Sequence, residues 1–340
     1  MPEENIKPER EIKRPPVLFD KTQDLVRKIT RELDGTLITY WNNPGGSVCA
    51  NDVVATFEIL ENIGKQEKIY LFIKSNGGSG KAALLMVNLL RQYTKRLVAL
   101  LPLECISAAT MLALGADEIR MGPMAYITAI DTSLTHDLSP IDRDNDRVSV
   151  SLNELQRVVR LWRSTNDGSQ SVKNPYEALF PHVHPLVIGA VDRADSLSVM
   201  LCREILSHHL RDLRKATRIA RALNANYPTH TYPILLREAR QLGLPAMRLD
   251  PKLNSLLLEL NERYSEMGQR AITDFSNTEY HNHEILNILE TKSLMIYFQV
   301  DKDWFYRTEE RRWIAMNDES EWKKHARVGD KVEVTRLHLL

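Results

Sequence analysis

Two short polar segments combine residue types that could carry out acyl transfer. Residues 75–79 (SNGGS) follow one apolar stretch, and residues 103–107 (LECIS) follow the next. A Gly-Gly pair lets the backbone approach a substrate closely and turn its N–H groups outward. A serine at the start of a helix lies at the positive end of the helix dipole, which stabilises negative charge developing on a carbonyl oxygen. The pattern therefore predicts Ser107 as a nucleophile.

Backbone amides near these segments are the donors that such a reaction needs. We expect them from Gly77 or Gly78 and from Ala108, the residue after the predicted nucleophile. Each segment alone has a simpler interpretation, because SNGGSG is also an ordinary turn and a lone serine here is more typical of a helix N-cap. Their positions after two neighbouring predicted strands favour a shared site, since ligands bind at the carboxyl ends of parallel strands.

The elements that must position these residues follow an alternating pattern. Strands are predicted over residues 35–41, 68–74, 96–101, 118–121 and 125–130, and helices over 51–63, 81–93 and 107–115. Strands that alternate with helices indicate βαβ units, a parallel sheet and right-handed crossovers. The predicted fold class is therefore α/β.

The second half of the chain has a different character. Residues 131–147 are polar and predict a surface loop, and Ser151 with Glu154 predicts a capping box that opens a helix. Further helices are predicted over residues 186–223, over 235–242 and after 251, and further strands over 294–300, 313–316 and 331–337. We therefore predict a tail and lead-in over residues 1–30, a main domain over 31–250 and a small α+β accessory domain over 251–340.

Composition and charge argue against several classes of protein. The 340 residues are 43% hydrophobic, which is typical of a globular protein with a sizeable core. Lys plus Arg equals Asp plus Glu at 45 each, so no net field attracts nucleic acid, and we expect no nucleic-acid partner. The three cysteines form no CxxC pair, which argues for a reducing, cytoplasmic location.

Two segments bear on whether the chain enters a membrane. Residues 1–21 are charged and contain proline, unlike a signal peptide. Residues 97–116 are almost wholly apolar and about as long as a membrane span. Pro102 and Glu104 divide that stretch into a strand-like part and a helix-forming part, so we interpret it as a strand and a buried helix. We expect no stable membrane insertion.

Longer motifs around these segments resemble a known family. LFIKSNGGSG (71–80) and ECISAATMLALGADEIRMGPMAYITAIDTSL (104–134) are similar to the serine dehydrogenase proteinase family and, more distantly, to signal peptide peptidase A and the Clp protease subunit. The likeness covers roughly residues 33–250. It implies a Clp/crotonase-like fold of stacked βαβ units, usually oligomeric, that acts on peptide or protein substrates. It also implies Ser107 as nucleophile, with Gly77, Gly78 and Ala108 forming the oxyanion hole.

The general base is the part of the site where the sequence departs from that pattern. Clp-type relatives carry a His on the strand after the nucleophile's helix, where this chain has Ile130, and their Asp is replaced near Thr231. Signal-peptide-peptidase-like relatives use a Ser–Lys dyad, and Lys173 is the first lysine after Ser107. A buried lysine can lose its proton and act as a base, whereas arginine cannot. We therefore predict a Ser–Lys-like site.

Other residues keep alternatives open. His136 lies just past the strand, and His182, His184 and His230 are further candidates for the base. Cys105 could be a rival nucleophile but is more typical of a buried structural thiol. No further ligand accompanies His182 and His184, so we expect no metal and no organic cofactor.

Three functions are consistent with these residues. A serine peptidase that works through an acyl-enzyme is the leading hypothesis. A catalytically inactive scaffold or peptide-binding protein of the same fold is the alternative, because no base is evident. Acyl-CoA chemistry of the crotonase kind is the third, although no sequence feature demands a CoA pocket.

Overall fold

The alternating segments of the sequence fold into alternating strands and helices. The computed structural model describes residues 11–143, 146–165, 177 and 179–337. Its helices are α1 (Phe19–Arg31), α2 (Ala50–Ile63), α3 (Gly80–Tyr93), α4 (Ala108–Leu114), α5 (Leu152–Thr165), α6 (Pro185–Ser207), α7 (Leu213–Ala225), α8 (Leu236–Gln241) and α9 (Pro251–Met267). Its first strands are β1 (Thr36–Asn42), β2 (Gln66–Lys74), β3 (Thr94–Leu101), β4 (Glu104–Cys105), β5 (Glu118–Met121), β6 (Tyr126–Ile127), β7 (Ser133–Leu134) and β8 (Val150–Ser151). The later strands are β9 (Ala246–Arg248), β10 (Ala271–Ser276), β11 (Glu279–Thr291), β12 (Leu294–Arg307), β13 (Arg312–Asp318), β14 (Glu321–Val328) and β15 (Lys331–Leu337).

One large mixed sheet organises the described residues. Its main path runs β15-β14-β12-β11-β1-β2-β3-β5-β9, and the stretch from β1 to β9 is parallel throughout. Strands β2 and β3 are apolar on both faces because helices cover both sides of the sheet, as is usual for parallel strands. This architecture confirms the predicted α/β class.

Two cores lie on opposite faces of the sheet. Side chains that alternate along each strand divide between them, so Leu71 packs with α2, α3 and α4, while Phe72 packs with α1 and α9. The first core supports the segments that follow β2 and β3. The position of Ser107 therefore depends on the face that α3 and α4 cover.

The strands after residue 250 continue the same sheet. Strand β11 pairs antiparallel with β1, with Tyr40 opposite Leu289. Helix α9 packs beside α1 and shares the second core with Ile285 and Ile288 of β11. The division into a main and an accessory domain stays a prediction, and hydrogen bonds and a common core cross its boundary.

Two predicted elements differ in extent from the observed ones. The long helix expected over residues 186–223 is two helices, because the chain turns after Ser207 and Asp212 caps α7 by accepting from the Arg214 and Lys215 amides. The strand expected over residues 125–130 is regular only at Tyr126–Ile127. Beyond it, Ile130 donates its amide to the Leu223 carbonyl, which directs the following residues towards α7.

The apolar stretch 97–116 is part of the globular core. It contains β3, β4 and α4, and its division at Pro102 and Glu104 matches the predicted one. Within the described ranges, no helix combines the length and the apolar character required to cross a bilayer.

Candidate active site

The chain turns sharply at Ser107, between β4 and α4. Its backbone has φ 54° and ψ −117°, in the left-handed region that a residue with a side chain rarely adopts. Such a conformation costs about 1–3 kcal/mol and persists only where surrounding structure enforces it. Here the Ser107 amide donates to Thr128 Oγ1 at 2.9 Å, and Ala109 donates to the Ile106 carbonyl. The turn leaves the Ser107 side chain half-buried, and in the described part of the chain its hydroxyl has no hydrogen-bond partner.

A second turn, at Gly77 and Gly78, lies directly against the first. Both glycines have positive φ, 96° and 144°. A Cβ on Gly77 would lie 2.7 Å from Ser107 Cβ and 2.7 Å from the Ile106 carbonyl oxygen, so only glycine fits. The turns are also joined through their backbones, because Ile106 donates to the Ser75 carbonyl. The predicted meeting of the two segments is therefore present in the structure.

The two glycines do different things. The Gly77 amide donates to Ser75 Oγ at 3.1 Å, so it is not available to a substrate oxygen. The Gly77 carbonyl accepts from Val48, and Ser79 donates back to the Val48 carbonyl, which leaves the Gly78 amide between them without a partner in the described residues. The Ala108 amide is in the first turn of α4, where no intrahelical carbonyl reaches it. Of the three predicted donors, Gly78 and Ala108 are the two whose amides have no hydrogen-bond partner among the described residues.

A cavity of about 460 Å³ opens beside Ser107. Gly78, Ser107 and Ala108 line it together. Its other walls combine apolar and polar side chains: Met111, Ile130, Leu197 and Leu201, with Lys81, Asp131, Ser133, Ser198 and His230. Larger depressions of about 680 Å³ beside α7 and about 1040 Å³ beside the C-terminal strands lie away from Ser107. We place the candidate site by its chemistry, in the smaller cavity.

A hydrogen-bonded aspartate and histidine form part of the cavity wall. Asp131 Oδ1 lies 2.7 Å from His230 Nδ1, and the Asn153 amide nitrogen lies 3.3 Å from Asp131 Oδ2. Burial alone would raise the pKa of Asp131, but the hydrogen bonds from His230 and Asn153 and the charge of the imidazole outweigh it and lower that pKa. The carboxylate is 13% exposed and the imidazole 41%, so the histidine faces the cavity from a nearly buried support.

The remaining predicted site residues are distributed differently. Lys173 lies outside the described residues. His136 and His184 use Nδ1 to accept backbone amides two residues ahead, and neither lines the cavity. His182 is exposed and is likewise absent from the cavity wall. Among the candidate histidines, His230 is the one that lines the same cavity as Ser107.

Cys105 is a buried thiol. Its side chain is 0% exposed, and burial raises its pKa well above the ordinary value, so the thiolate that would attack a substrate is disfavoured. This finding agrees with its interpretation as a structural residue. Within the described ranges, no group of three or more His, Cys, Asp or Glu side chains is arranged to hold a metal ion.

Sequence reasoning gave little weight to three residues that the structure brings to the site. Asp131 falls in the surface loop predicted over residues 131–147, His230 is one of several candidate bases, and Thr128 is not singled out. The segment after His230 explains how these residues reach the site. Its Ile234 exchanges two backbone hydrogen bonds with Ile127 of β6. That bridge brings a distant loop to the strand beside the nucleophile.

Comparison with known proteins supports the fold of this region. Residues 21–136 match the Clp protease family model. The matched segment contains β1 to β6, both turns and Ser107. No curated protein matches the chain.

Two solved structures of mutants of the 1510-N membrane-bound stomatin-specific protease are similar to parts of the chain. The one in complex with a substrate peptide has 15% identity and a TM-score of 0.38, and it covers 69% of this chain and 79% of its own. The other has 14% identity and a TM-score of 0.36, and it covers 69% of this chain and 84% of its own.

Proposed function

We propose that this protein is a serine-type peptidase that cleaves peptide bonds through an acyl-enzyme on Ser107. The observation that carries the proposal is the strained turn at Ser107, which lies against the glycine turn. Among the described residues, neither the Ser107 hydroxyl nor the Gly78 amide has a hydrogen-bond partner. Strain of this kind collects at functional sites. The Clp protease match over residues 21–136 supports peptide hydrolysis over other acyl transfers.

The arrangement performs the reaction as follows. Ser107 Oγ attacks the scissile carbonyl carbon, and the C=O π electrons move onto the carbonyl oxygen. The Gly78 and Ala108 amides donate to that oxyanion, and each such donor contributes on the order of 3 kcal/mol in related chemistry. Collapse of the tetrahedral intermediate breaks the C–N bond, and water then hydrolyses the acyl-enzyme. No metal or organic cofactor takes part in this scheme.

The proposal extends to the substrate and the setting. Substrates are peptides or proteins, which the apolar wall formed by Met111, Leu197 and Leu201 accommodates by packing against a side chain next to the scissile bond. Self-association into a homo-oligomer and a cytoplasmic location follow from the family resemblance and the cysteine usage. The sequence predicts a Ser–Lys-like mechanism in which Lys173 is the general base. The described residues offer a second candidate for that base.

A fluorophosphonate probe tests the nucleophile directly. The wild-type chain is expected to become labelled at Ser107, and the Ser107→Ala variant is expected to lose all labelling. Ser133→Ala is the matched control, because Ser133 lines the same cavity and should be dispensable. Labelling that survives Ser107→Ala would remove the proposal. A folded wild-type chain that is never labelled and cleaves no peptide would support the scaffold function.

A further inference from the structure

We propose that His230, held by Asp131, is the general base that activates Ser107. This inference rests on the proposed peptidase function and names the group that accepts the serine proton. His230 and Ser107 line one cavity, and Asp131 lines it with them. A nucleophile, an imidazole and a carboxylate that orients it are together sufficient for general-base activation of a serine.

The hydrogen bond to Asp131 fixes the tautomer of His230. A carboxylate only accepts hydrogen bonds, so the 2.7 Å contact requires the proton of a neutral imidazole to be on Nδ1. Nε2 then carries the lone pair, and among the described residues it has no hydrogen-bond partner. The side chain is thus oriented as a proton acceptor that is open towards the cavity.

The surrounding backbone holds this pair in place. The His230 loop is fixed on one side by the Ile127–Ile234 bridge, whose two hydrogen bonds measure 3.1 and 2.8 Å. Asn153 donates both to Asp131 and to the Asn224 carbonyl at the end of α7, so it joins the carboxylate to the element that leads into the loop. Asp131 and His230 are 99 positions apart in the chain. Residues of β6, α5 and α7 support their contact.

With His230 as the base, every proton that moves in the reaction has a donor and an acceptor. As Ser107 Oγ bonds to the carbonyl carbon, its proton moves to His230 Nε2, and Asp131 stabilises the resulting imidazolium. When the C–N bond breaks, Nε2 returns that proton to the leaving amine. A water molecule then gives its proton to Nε2 while its oxygen attacks the acyl carbon, and the proton passes back to Ser107 Oγ.

Two lysines are the competing bases. Lys81 lines the cavity, but its side chain is exposed and no hydrogen bond in the described residues orients it. Lys173 is the base predicted from sequence. Both can be separated from His230 by the same measurements.

The first test compares single variants by the rate of fluorophosphonate labelling and by hydrolysis of a fluorescein-labelled casein. His230→Ala and His230→Gln are expected to lower both rates by about 10²–10⁴-fold, the usual contribution of a general base. His136→Ala is the matched control and should retain the wild-type rates, because His136 does not line the cavity. A loss of this size in Lys81→Ala or Lys173→Ala, with wild-type rates in both His230 variants, would assign the base to that lysine and overturn the proposal. His230 is 41% exposed, so its variants are expected to keep the wild-type melting temperature.

Chemical rescue distinguishes proton transfer from a structural role. Added imidazole is expected to restore part of the labelling rate of His230→Ala and to leave Ser107→Ala inactive. Hydrolysis of p-nitrophenyl acetate should suffer less than casein cleavage, because its leaving group departs without a proton.

Asp131 acts through His230 as a positioning residue, and a double-mutant cycle tests that role. Asp131→Asn alone should lower the labelling rate, while Asp131→Asn combined with His230→Ala should be no slower than His230→Ala alone. Additive losses would overturn the role of Asp131. Wild-type rates in both His230 variants, with Ser107→Ala inactive, would overturn the base while the peptidase stands. Activity that survives Ser107→Ala would overturn both.

Discussion

The polar groups at the Ser107 cavity and the buried carboxylate of Glu290 differ in how many hydrogen bonds they form. Glu290 is 0% exposed on β11, and its two oxygens accept from Thr22, Gln23 and Tyr264 at 2.6–2.7 Å. In the described residues, the Ser107 hydroxyl and His230 Nε2 accept and donate nothing. The Glu290 carboxyl is saturated with hydrogen bonds, as most buried polar groups are, whereas the two groups at the cavity keep an open position for a substrate.

The same contrast extends to acidity. Burial raises the pKa of Glu290 to about 7, and the hydrogen bonds from Tyr264, Thr22 and Gln23 offset only part of that rise. Burial also raises the pKa of Asp52 to about 6, despite hydrogen bonds from Asn287 and Tyr40. Burial acts on Asp131 in the same direction, but there the interactions with His230 and the hydrogen bond from Asn153 outweigh it and lower the pKa. The lowered pKa keeps Asp131 ionised, so that it can accept a hydrogen bond from His230 at the cavity.

The largest expected effect separates activity from stability at one residue. Ser107→Gly should abolish peptidase activity, a loss of at least about 10³-fold, because the nucleophile is gone. It should also raise the free energy of unfolding by about 1 kcal/mol relative to Ser107→Ala, since glycine adopts positive φ without strain. Urea denaturation of both variants measures the difference. Equal stability of the two would show that the turn stores no strain.

Close packing of the two turns gives the next effect. Gly77→Ala should reduce the free energy of unfolding by about 3–4 kcal/mol, because its Cβ would meet backbone and Ser107 Cβ at 2.7 Å. Gly64→Ala is the matched control, with φ 63° and no atom within 4 Å, and should cost only about 1 kcal/mol. Thermal and urea denaturation measure both. Similar losses in the two variants would contradict a close approach at Gly77.

The Glu290 carboxyl should make the free energy of unfolding depend on pH. The pKa of Glu290 is about 7 in the folded protein against an ordinary value of 4.5, so the folded state binds the proton more tightly than the unfolded chain. Its stabilising contribution is complete below pH 4.5 and is lost as the pH rises to about 7, by roughly 3 kcal/mol. The free energy of unfolding of wild type minus that of Glu290→Gln should fall across this window.

An exposed carboxyl provides the comparison for that measurement. Glu333→Gln on β15 replaces an exposed carboxyl by the same amide and is measured over the same pH range as the reference. A flat difference for Glu290→Gln would mean that Glu290 does not keep its proton on folding.

The smallest expected effect concerns the support of the nucleophile turn. Thr128 is 0% exposed, and its hydroxyl accepts from the Ser107 amide. Thr128→Val should lower the free energy of unfolding by about 1–2 kcal/mol and slow fluorophosphonate labelling, because a buried N–H loses its partner. Thr128→Ser keeps the hydroxyl and should retain most of the labelling rate. Equal labelling in the two variants would show that the hydroxyl is not needed to hold Ser107.

Sequence patterns predicted the parallel strands well and β11 not at all. Residues 69–73 (IYLFI) form an uninterrupted apolar run because β2 is covered on both faces, and such runs are easy to interpret. Strand β11 (EYHNHEILNILET) is also central, yet it buries His281, Asn287 and Glu290. Each of these polar side chains has partners that are distant in sequence, so no local pattern indicates that they are inside.

The candidate site shows the same limit. Ser107 and the glycine turn follow consecutive strands, so the sheet topology brings them together predictably. The residues next to the two expected partner positions are of exchanged type, because the carboxylate, Asp131, follows Ile130 and the imidazole, His230, precedes Thr231. A search for histidine on the strand after α4 therefore finds nothing, because the contact depends on a loop that joins only through tertiary structure.

The continuation of the sheet past residue 250 has a consequence for shortened forms of the chain. A chain that ended at β9 would leave β1 with a row of unpaired backbone groups along its outer side, since β11 alone occupies that position in the described structure. Open strand edges invite pairing with other chains. Such a fragment would also expose the apolar faces of α1 and β1 that α9 shields, so it would tend to aggregate before it could be assayed as a peptidase.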